Sequence, residues 1–427
     1  MRIGLFTDSY RPASNGVVYT VEILRRRLTE LGHEVFIFAP AAGFRPGPSD
    51  DDHVIRFPAI TGLGFSEAQL SLFFPPRLLR RIARLDLDLV TFLSPGQVGL
   101  MSAYVARKTD LPLVGQHTTD LCQYARSYRG LTLGSGLLNL MLPFAVHLSS
   151  AQRRRLVKTY LPQSGQGGRT GEAIALYLTL LYAACDATIV LSRKSARQLS
   201  ELAQRWEADL RLRVIPTGVD PLPTAPAAAV RDFRTGLGLT DQDEVVTYVG
   251  RLAEEKNLDR LIEMAGPLVR RRPRAHLVLV GDFDYRAKLE AAAALSPAAE
   301  SIHFAGRLPR LQLSAAYQAA DVFVFPSLTD TQGLVLNEAA HTGLPIVLID
   351  TEVSACFEAG GNGLAARDQA FDLARQTARL LGDPALRARM GRRSRQLAAA
   401  CGELAQTAAM AELYQEVRLD PGTRRAA

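Results

Sequence analysis

Two basic residues stand close together in the segment GRLAEEKN, residues 250–257. Arg251 and Lys256 follow a short apolar run, Val245 to Val249, that predicts a buried strand. Ligands of open α/β sheets bind at the carboxyl ends of the strands, so two fixed cations here could neutralise a diphosphate leaving group. The alternative is that both cations form surface ion pairs with the two glutamates between them.

A second group of polar residues lies in PSLTDTQGLVLNEAAHTGLP, residues 326–345. Asp330 and Glu338 are eight residues apart, and Gly333 stands at the start of the helix that the pattern predicts around Glu338. Carboxylates accept hydrogen bonds from sugar hydroxyls, and the free amides of a helix N-terminus can bind phosphate or hydroxyl oxygens. This segment therefore fits recognition of a sugar or a ribose.

The N-terminal half offers two further candidates, Gly16 and His117. Gly16 ends the loop after the opening strand, and a glycine at a helix start lets backbone amides approach a phosphate. Because no full GxGxxG pattern is present, Gly16 could equally serve only to turn the chain. His117 stands in HTTD (117–120), where Asp120 could orient it; a structural histidine and a helix cap at Asp120 are the alternatives.

Strand and helix patterns alternate along the chain and then begin again, as two parallel sheets with crossover helices require. The predicted strands of the first half are Ile3–Phe6, Glu34–Ala39, Val54–Phe57, Leu89–Phe92, Leu113–Gly115 and Ala187–Leu191, with a helix at about 17–31. Those of the second half are Val245–Val249, Leu277–Gly281, Ile302–Phe304, Val322–Phe325 and Pro345–Ile349, with helices from Asn257, Arg286, Leu311 and near Val335. The sequence therefore predicts an α/β protein with two doubly wound domains.

The expected domains are residues 1–215 and 216–403, with a final helix at about 404–418 that packs back on the first domain. The proline-containing and alanine-rich segment Pro216 to Thr235 is predicted to link them. At 427 residues, with 47% hydrophobic and 22% charged residues, the chain has enough material for two cores.

Composition also indicates where the protein acts. No apolar run reaches the roughly 18 residues of a spanning helix, and no signal peptide is recognised at the N-terminus. The cysteines are scattered without metal-ligand spacing, which favours a reducing cytoplasm; they are Cys122, Cys185, Cys356 and Cys401.

The formal net charge of +7 favours anionic partners. Basic side chains cluster in the first half, at Arg25–Arg27, at Arg77, Arg80, Arg81 and Arg84, and at Arg153–Arg155 with Lys158. No aromatic residues interleave with them, and no nucleic-acid motif is present, so nucleic acid is not an expected partner.

Two segments interrupt the alternating pattern. Residues 130–148 are apolar and are followed at once by basic side chains, which fits either a helix lying in a membrane interface or a core helix followed by a solvated turn. Residues 163–171 are rich in glycine but follow no strand, which predicts a flexible loop and not a phosphate-binding loop.

An ordered series of motifs runs through nearly the whole chain. It comprises NGV (15–17), GHEV (32–35), HTTD (117–120), IPTGVD (215–220), GRLAEEKN (250–257), LVLVGD (277–282), FAG (304–306), FPS (325–327) and NGL (362–364). This arrangement resembles the retaining glycosyltransferases of family 4. The resemblance implies the GT-B architecture, in which two facing Rossmann-like domains enclose an interdomain cleft, with the acceptor on the N-terminal domain and the nucleotide sugar on the C-terminal domain.

In that family, the basic pair that matches Arg251 and Lys256 binds the donor diphosphate. The second acid of the E-x7-E motif, here Glu338, holds the donor ribose, and the first acid contacts the donor sugar. This sequence has Asp330 where glutamate is usual, which shortens that side chain by one methylene group. The expected contact with the donor sugar is therefore shifted.

The resemblance also implies that Gly16 meets the phosphates and that His117 faces the reacting sugar. The expected catalytic residues are His117, Arg251, Lys256 and Asp330. The expected donor-binding residues are Gly16, Arg251, Lys256, Asp330, Gly333, Leu334 and Glu338. No cofactor and no catalytic metal are expected.

Two sequences spell the DxD of metal-dependent glycosyltransferases of another fold. They are Asp86-Leu87-Asp88, at the entry to a predicted strand, and Asp282-Phe283-Asp284, just after one. Both positions are explained by turn chemistry.

The segments TDTQGL and TDSYRPASNGV look most like the lipid-directed branch that includes diacylglycerol glucosyltransferases. We therefore expect transfer of a hexose, glucose from UDP, to a membrane lipid such as diacylglycerol, by a cytoplasmic protein peripheral to the inner face of the cell membrane. The expected docking residues on an anionic membrane are Arg77, Arg80, Arg81 and Arg84. The alternatives are phosphatidylinositol or polysaccharide acceptors, a nucleotide-sugar epimerase, and a non-catalytic nucleotide-sugar-binding protein.

Overall fold

The computed structural model describes residues 1–11, 16–41, 51–61, 69–70, 76–118, 131–160 and 169–420. The chain divides into two compact units, which are Met1–Ile215 with Glu403–Ala427, and Pro216–Gly402. Each unit contains a parallel β-sheet with helices packed against it.

The sheet of the first unit contains strands that alternate with helices along the chain. The strands are β1 (Arg2–Phe6), β2 (Glu34–Pro40), β3 (Val54–Phe57), β4 (Ile60–Thr61), β5 (Gln69–Leu70), β6 (Leu89–Phe92), β7 (Leu113–His117), β8 (Ala187–Val190) and β9 (Leu212–Val214). In the described residues β4 and β5 form a separate antiparallel pair, and the others lie in the order β3-β2-β1-β6-β7-β8-β9. The strand order reverses between β1 and β6, which is where ligands bind in such sheets.

The helices of the first unit cover both faces of its sheet. They are α1 (Gly16–Glu30), α2 (Pro76–Ala83), α3 (Gln97–Thr109), α4 (Leu131–Ala145), α5 (Ser150–Tyr160), α6 (Arg169–Ala183) and α7 (Arg193–Trp206). Side chains of a strand alternate between the two faces. Phe6 therefore stacks on Phe38 in one apolar layer, while Ile3 and Leu5 lie in the other with Leu24 of α1.

The second unit repeats the plan. Its strands are β10 (Glu244–Val249), β11 (Ala275–Val280), β12 (Ile302–Gly306), β13 (Val322–Phe325), β14 (Ile346–Leu348) and β15 (Gly363–Ala365), in the order β12-β11-β10-β13-β14-β15. Its helices are α8 (Ala227–Gly236), α9 (Asp259–Arg271), α10 (Arg286–Ala294), α11 (Arg310–Gln318), α12 (Leu334–Thr342), α13 (Ala370–Gly382) and α14 (Pro384–Ala399). Here the strand order reverses between β10 and β13.

The last helix, α15 (Glu403–Leu419), belongs to the first unit. Met410 and Tyr414 of α15 are buried in the same apolar layer as Ile3 of β1. At its first residue, the buried carboxylate of Glu403 accepts a hydrogen bond from Arg27 Nε at 3.1 Å and a second from Arg26. A buried carboxylate needs such partners, so these two arginines of α1 fix the start of α15.

Three sequence predictions differ from the structure. The predicted linker 216–235 contains α8, because a proline is well placed just before a helix and the alanines that follow it favour helix. α9 begins at Asp259 and not at Asn257, whose φ of 58° ends a 3₁₀ turn, Glu254–Lys256. Four short strands, β4, β5, β9 and β15, were not predicted.

The second residues of β11 and β12 are histidines that lie close together. His276 Nδ1 lies 3.0 Å from His303 Nε2, and His276 Nε2 lies 3.8 Å from Asp243 Oδ1. Burial lowers the pKa of both imidazoles. The charge of His276 lowers the pKa of His303 further. At His276, Asp243 raises the pKa and Arg234 lowers it.

We expect this pair to make the second unit less stable in acid. Folding lowers the pKa of both histidines, so the unfolded chain takes up protons at a higher pH than the folded one. The second unit therefore has its full stability above the ordinary histidine pKa and becomes less stable as the pH falls below that value. Amide hydrogen exchange of peptides containing β11 and β12, corrected for intrinsic rates, should be faster at pH 5.5 than at pH 7.5. His303→Gln should reduce that difference and His147→Gln, at an exposed position of the first unit, should not; equal pH sensitivity in all three proteins would contradict the prediction.

Candidate functional site

The site of the second unit lies where the strand order reverses, at the carboxyl ends of β10 and β13. Gly250 follows β10, and its amide donates a hydrogen bond to the Val280 carbonyl at 3.0 Å. A Cβ atom at Gly281 would lie 1.8 Å from the Gly250 carbonyl oxygen, so only glycine fits there. This close backbone approach shapes the sheet edge that carries Arg251.

Arg251 is held from two sides. Its Nη2 donates a hydrogen bond to Glu255 Oε1 at 3.0 Å, and its guanidinium lies 4.7 Å from the ring centre of Phe283. A cation over an aromatic face is attracted by the ring quadrupole. The surface pairing considered as an alternative for Arg251 is therefore present, but the pair is attached to the sheet edge and leaves the Arg251 side chain 41% exposed.

Lys256 pairs with Asp330, which lies 74 residues further along the chain. Its Nζ donates a hydrogen bond to Asp330 Oδ1 at 2.7 Å, and only 13% and 19% of the two side chains are exposed. Thr329 Oγ1 also donates to the Glu255 carbonyl at 2.9 Å. The segments that follow β10 and β13, which are far apart in sequence, are therefore joined into one polar site.

Glu338 lies on α12, in the same unit. Its Oε2 accepts a hydrogen bond from the hydroxyl of buried Tyr317 at 2.8 Å. Burial raises the pKa of Glu338, while the Tyr317 hydroxyl and the charge of Arg310 act in the opposite direction. The Glu338 carboxylate is thus a hydrogen-bond acceptor with limited access to solvent.

The start of α12 fits an oxygen ligand. Gly333 precedes Leu334, the first residue of α12, and has a φ of 69°, a left-handed conformation that favours glycine. Gly333 has no side chain that could cap this end of the helix. Helix N-termini with free amides attract phosphate and hydroxyl oxygens.

Gln332, which the sequence analysis missed, fixes this loop to the beginning of the second unit. Its Oε1 accepts from the Thr217 amide at 2.7 Å, and its Nε2 donates to the Thr217 carbonyl at 2.8 Å. Both side chains are buried. The signal in the sequence is the glutamine between Asp330 and Gly333, but its partner lies 115 residues away and could not be inferred.

In the first unit His117 is the last residue of β7 and is buried. Its Nδ1 lies 3.0 Å from the hydroxyl of Tyr182, whose ring meets the imidazole edge-on. Asp120, considered as its orienting neighbour, lies outside the described residues. Gly16 is the exposed first residue of α1, and its carbonyl accepts from Thr20 Oγ1 at 2.9 Å.

Asp8, which was not among the predicted site residues, lies at the reversal of strand order in the first unit. Its Oδ1 accepts from the Val98 amide at 2.9 Å, and its Oδ2 accepts from Ser94 Oγ. Burial raises the pKa of this carboxyl, and both hydrogen bonds oppose the rise. Asp8 therefore caps α3 from the loop after β1.

Basic and apolar side chains share the outer surface of the first unit. Arg80 and Arg81 on α2 and Arg84 just after it are exposed, whereas the Arg77 side chain lies outside the described residues. On α4, Leu142 is fully buried but Leu140 and Phe144 are each 69% exposed. α4 therefore packs in the core on one side and presents apolar side chains on the other.

The next helix along the chain, α5, exposes Arg153, Arg154 and Lys158, together with Val157, which is 59% exposed. No helix in the described part of the chain is long and apolar enough to cross a membrane. Most of the glycine-rich segment 163–171 lies outside the described residues.

The aspartates of the two DxD sequences have local roles. Asp88 Oδ2 accepts from the Arg2 amide at 2.7 Å, and Asp86 has a left-handed φ of 48°. Asp282 lies just after β11 and is 3.8 Å from Arg286.

Comparisons with known proteins agree with this architecture. Residues 14–221 match the model of Glycosyltransferase Family 4, and residues 230–397 match the model of Glycosyl transferases group 1. HepE of Anabaena, solved with UDP, superposes with a TM-score of 0.67 at 18% identity over 97% of this chain and 100% of that one. The two parallel sheets and these matches define a glycosyltransferase of the GT-B fold class.

The chain belongs to glycosyltransferase family 4. Among curated relatives, the alpha-monoglucosyldiacylglycerol synthase of Acholeplasma laidlawii is 26% identical over 371 residues, 85% of this chain and 84% of the relative. The GDP-mannose-dependent alpha-mannosyltransferase of Mycolicibacterium smegmatis is 28% identical over 359 residues, 82% of this chain and 80% of the relative. The protein is therefore a hexosyltransferase with lipid glycosyltransferases among its relatives.

Proposed function

We propose that this protein is a retaining glycosyltransferase that moves glucose from UDP-glucose to a membrane lipid such as diacylglycerol. The observation that carries the proposal is the Lys256–Asp330 pair at 2.7 Å, beside Arg251, at the strand-order reversal of the second unit. Such a group could bind a diphosphate through its cations and sugar hydroxyls through its carboxylate. The glucolipid relative supports the choice of sugar and acceptor.

The second unit binds the donor in this proposal. Arg251 and Lys256 bind the diphosphate, Asp330 contacts the sugar, and Glu338 accepts hydrogen bonds from the ribose. The amides of Gly333 and Leu334 add donors for donor oxygens. The first unit binds the acceptor and contributes Gly16 to the phosphates and His117 to the reacting sugar.

The reaction breaks the bond between the anomeric carbon and the terminal phosphate oxygen of UDP-glucose. The acceptor hydroxyl oxygen forms the new bond on the same face of the sugar, so the configuration is retained. Its proton passes to the departing phosphate oxygen, which balances the step without a protein nucleophile. Arg251 and Lys256 stabilise the charge that develops on that oxygen.

GDP-mannose is the second candidate donor, because a relative of similar coverage is a GDP-mannose-dependent mannosyltransferase. Phosphatidylinositol and polysaccharide remain the alternative acceptors. Membership of the family argues against an epimerase, and a binding protein without turnover would bind UDP yet form no product.

The test offers UDP-glucose, UDP-galactose or GDP-mannose to the purified protein with vesicles that contain diacylglycerol or phosphatidylinositol. Mass spectrometry of the extracted lipids identifies the product. We expect glucosyldiacylglycerol with UDP-glucose. A mannosylated lipid formed only from GDP-mannose would overturn the donor assignment.

We further propose that exposed arginines on and near α2 dock the protein on anionic lipid. Basic side chains near such a surface contribute roughly 1 kcal/mol each. Changing Arg80, Arg81 and Arg84 together to glutamate should weaken binding to vesicles with anionic phospholipid at least about tenfold. Vesicle co-sedimentation at two salt concentrations measures it.

A matched variant changes three exposed arginines of the second unit to glutamate, which alters the net charge by the same amount. They are Arg270, Arg274 and Arg389. It should bind vesicles like the parent protein. Equal loss in both triple variants would show only a dependence on net charge and would refute a docking surface at α2.

A further inference from the structure

Tyr317 is a fully buried tyrosine whose hydroxyl reaches the proposed donor site. It is the eighth residue of α11, the helix before β13, and its hydroxyl donates to Glu338 Oε2 at 2.8 Å. The Val335 carbonyl in the first turn of α12 lies 3.5 Å from the same hydroxyl. The hydroxyl therefore meets both the carboxylate and the helix turn that precedes it.

The surroundings of Tyr317 leave it little freedom. Its ring lies in the core of the second unit, with 5.9 Å between its centre and that of Phe323. Two turns before it on α11, Arg310 places a positive charge within electrostatic range of Glu338. One helix thus directs both a hydroxyl donor and a charge at the same carboxylate.

We propose that Tyr317 is a positioning residue that holds the Glu338 carboxylate in the orientation in which it accepts hydrogen bonds from the ribose hydroxyls of the donor. This rests on the proposed function, since it takes the ribose role of Glu338 from there. Each carboxylate has two oxygens. Tyr317 occupies Oε2 and so leaves Oε1 to a ligand.

The same contact favours the ionised form of the carboxylate. Burial disfavours the charged form and raises the pKa of Glu338, and the hydroxyl hydrogen bond counters that rise. Without the hydroxyl, Glu338 would protonate at higher pH and lose acceptor capacity. The acid limb of donor binding should then move to higher pH.

The test is Tyr317→Phe, which keeps the ring and removes only the hydroxyl. Calorimetry measures binding of UDP and of 2′,3′-dideoxy-UDP, which lacks the ribose hydroxyls. We expect UDP to bind about five- to tenfold more weakly to the variant, with an acid limb at higher pH, and the dideoxy analogue to bind as it does to the parent protein. Tyr414→Phe, at an equally buried tyrosine of the first unit, should change neither affinity.

If Tyr317→Phe weakens the binding of UDP and of the dideoxy analogue equally, the tyrosine only supports the fold. Unchanged UDP binding by this variant would also overturn the proposal. Glu338→Gln separates these results from a failure of the proposed function. If Glu338→Gln binds UDP like the parent protein, and the parent does not distinguish UDP from the dideoxy analogue, the ribose role of Glu338 is wrong. If Glu338→Gln weakens the binding of UDP but not of the dideoxy analogue, and Tyr317→Phe does not, only the positioning role of Tyr317 is wrong.

Discussion

Lys256→Ala is expected to lower kcat for sugar transfer by about a hundred- to a thousandfold, the loss seen when a group that stabilises a developing oxyanion is removed. The ammonium of Lys256 is largely buried beside Asp330, where water screens its charge poorly. Its contribution should therefore be greatest when charge builds on the departing diphosphate. Steady-state release of UDP at saturating donor measures the effect.

Lys288→Ala is the matched control, because Lys288 is an exposed lysine of the same unit that lies over the Tyr285 ring. It should retain the parent rate. A Lys256→Ala protein that is folded and transfers sugar at the parent rate would remove the diphosphate role of Lys256.

Asp330→Ala is expected to lower kcat/KM by about a hundredfold, for two reasons that act together. The donor sugar loses its carboxylate acceptor, and Lys256 loses the partner at 2.7 Å that holds it in place. Initial rates at subsaturating UDP-glucose measure this value.

Asp330→Glu tests the departure from the family pattern directly. It restores the usual acid, so we expect kcat/KM within about tenfold of the parent and a changed ratio between UDP-glucose and UDP-galactose. Asp284→Asn, at an exposed aspartate of the second DxD sequence, should leave both values unchanged. Full activity of Asp330→Ala would contradict the role of this side chain.

Regular periodicity made the two sheets predictable from the sequence. Short apolar runs bounded by polar turns predict buried parallel strands wherever they occur, and most boundaries differ by only one or two residues. The end of β7 matters most, because the strand continues beyond the predicted end to His117. That histidine is therefore a strand residue packed on Tyr182. The prediction failed at α8, where three closely spaced prolines suggested a linker although the alanines after them form a helix.

The candidate site was predictable one segment at a time. Arg251, Lys256, Asp330 and Glu338 stand in local patterns that end predicted strands or begin a predicted helix. The pairing of Lys256 with Asp330 was not predictable, because the two residues are 74 apart in sequence and only tertiary packing brings them together. Tyr317 and Gln332 were missed for the same reason, because each acts through a partner that only the folded chain brings near.

Sugar transfer from UDP-glucose to a lipid can be followed in a single time course. Purified protein and UDP-glucose are incubated with anionic vesicles, with or without diacylglycerol, and released UDP and new glycolipid are measured together. We expect equimolar UDP and glycolipid only when diacylglycerol is present. Measurable UDP-glucose binding with no glycolipid, whatever the vesicle composition, would contradict it.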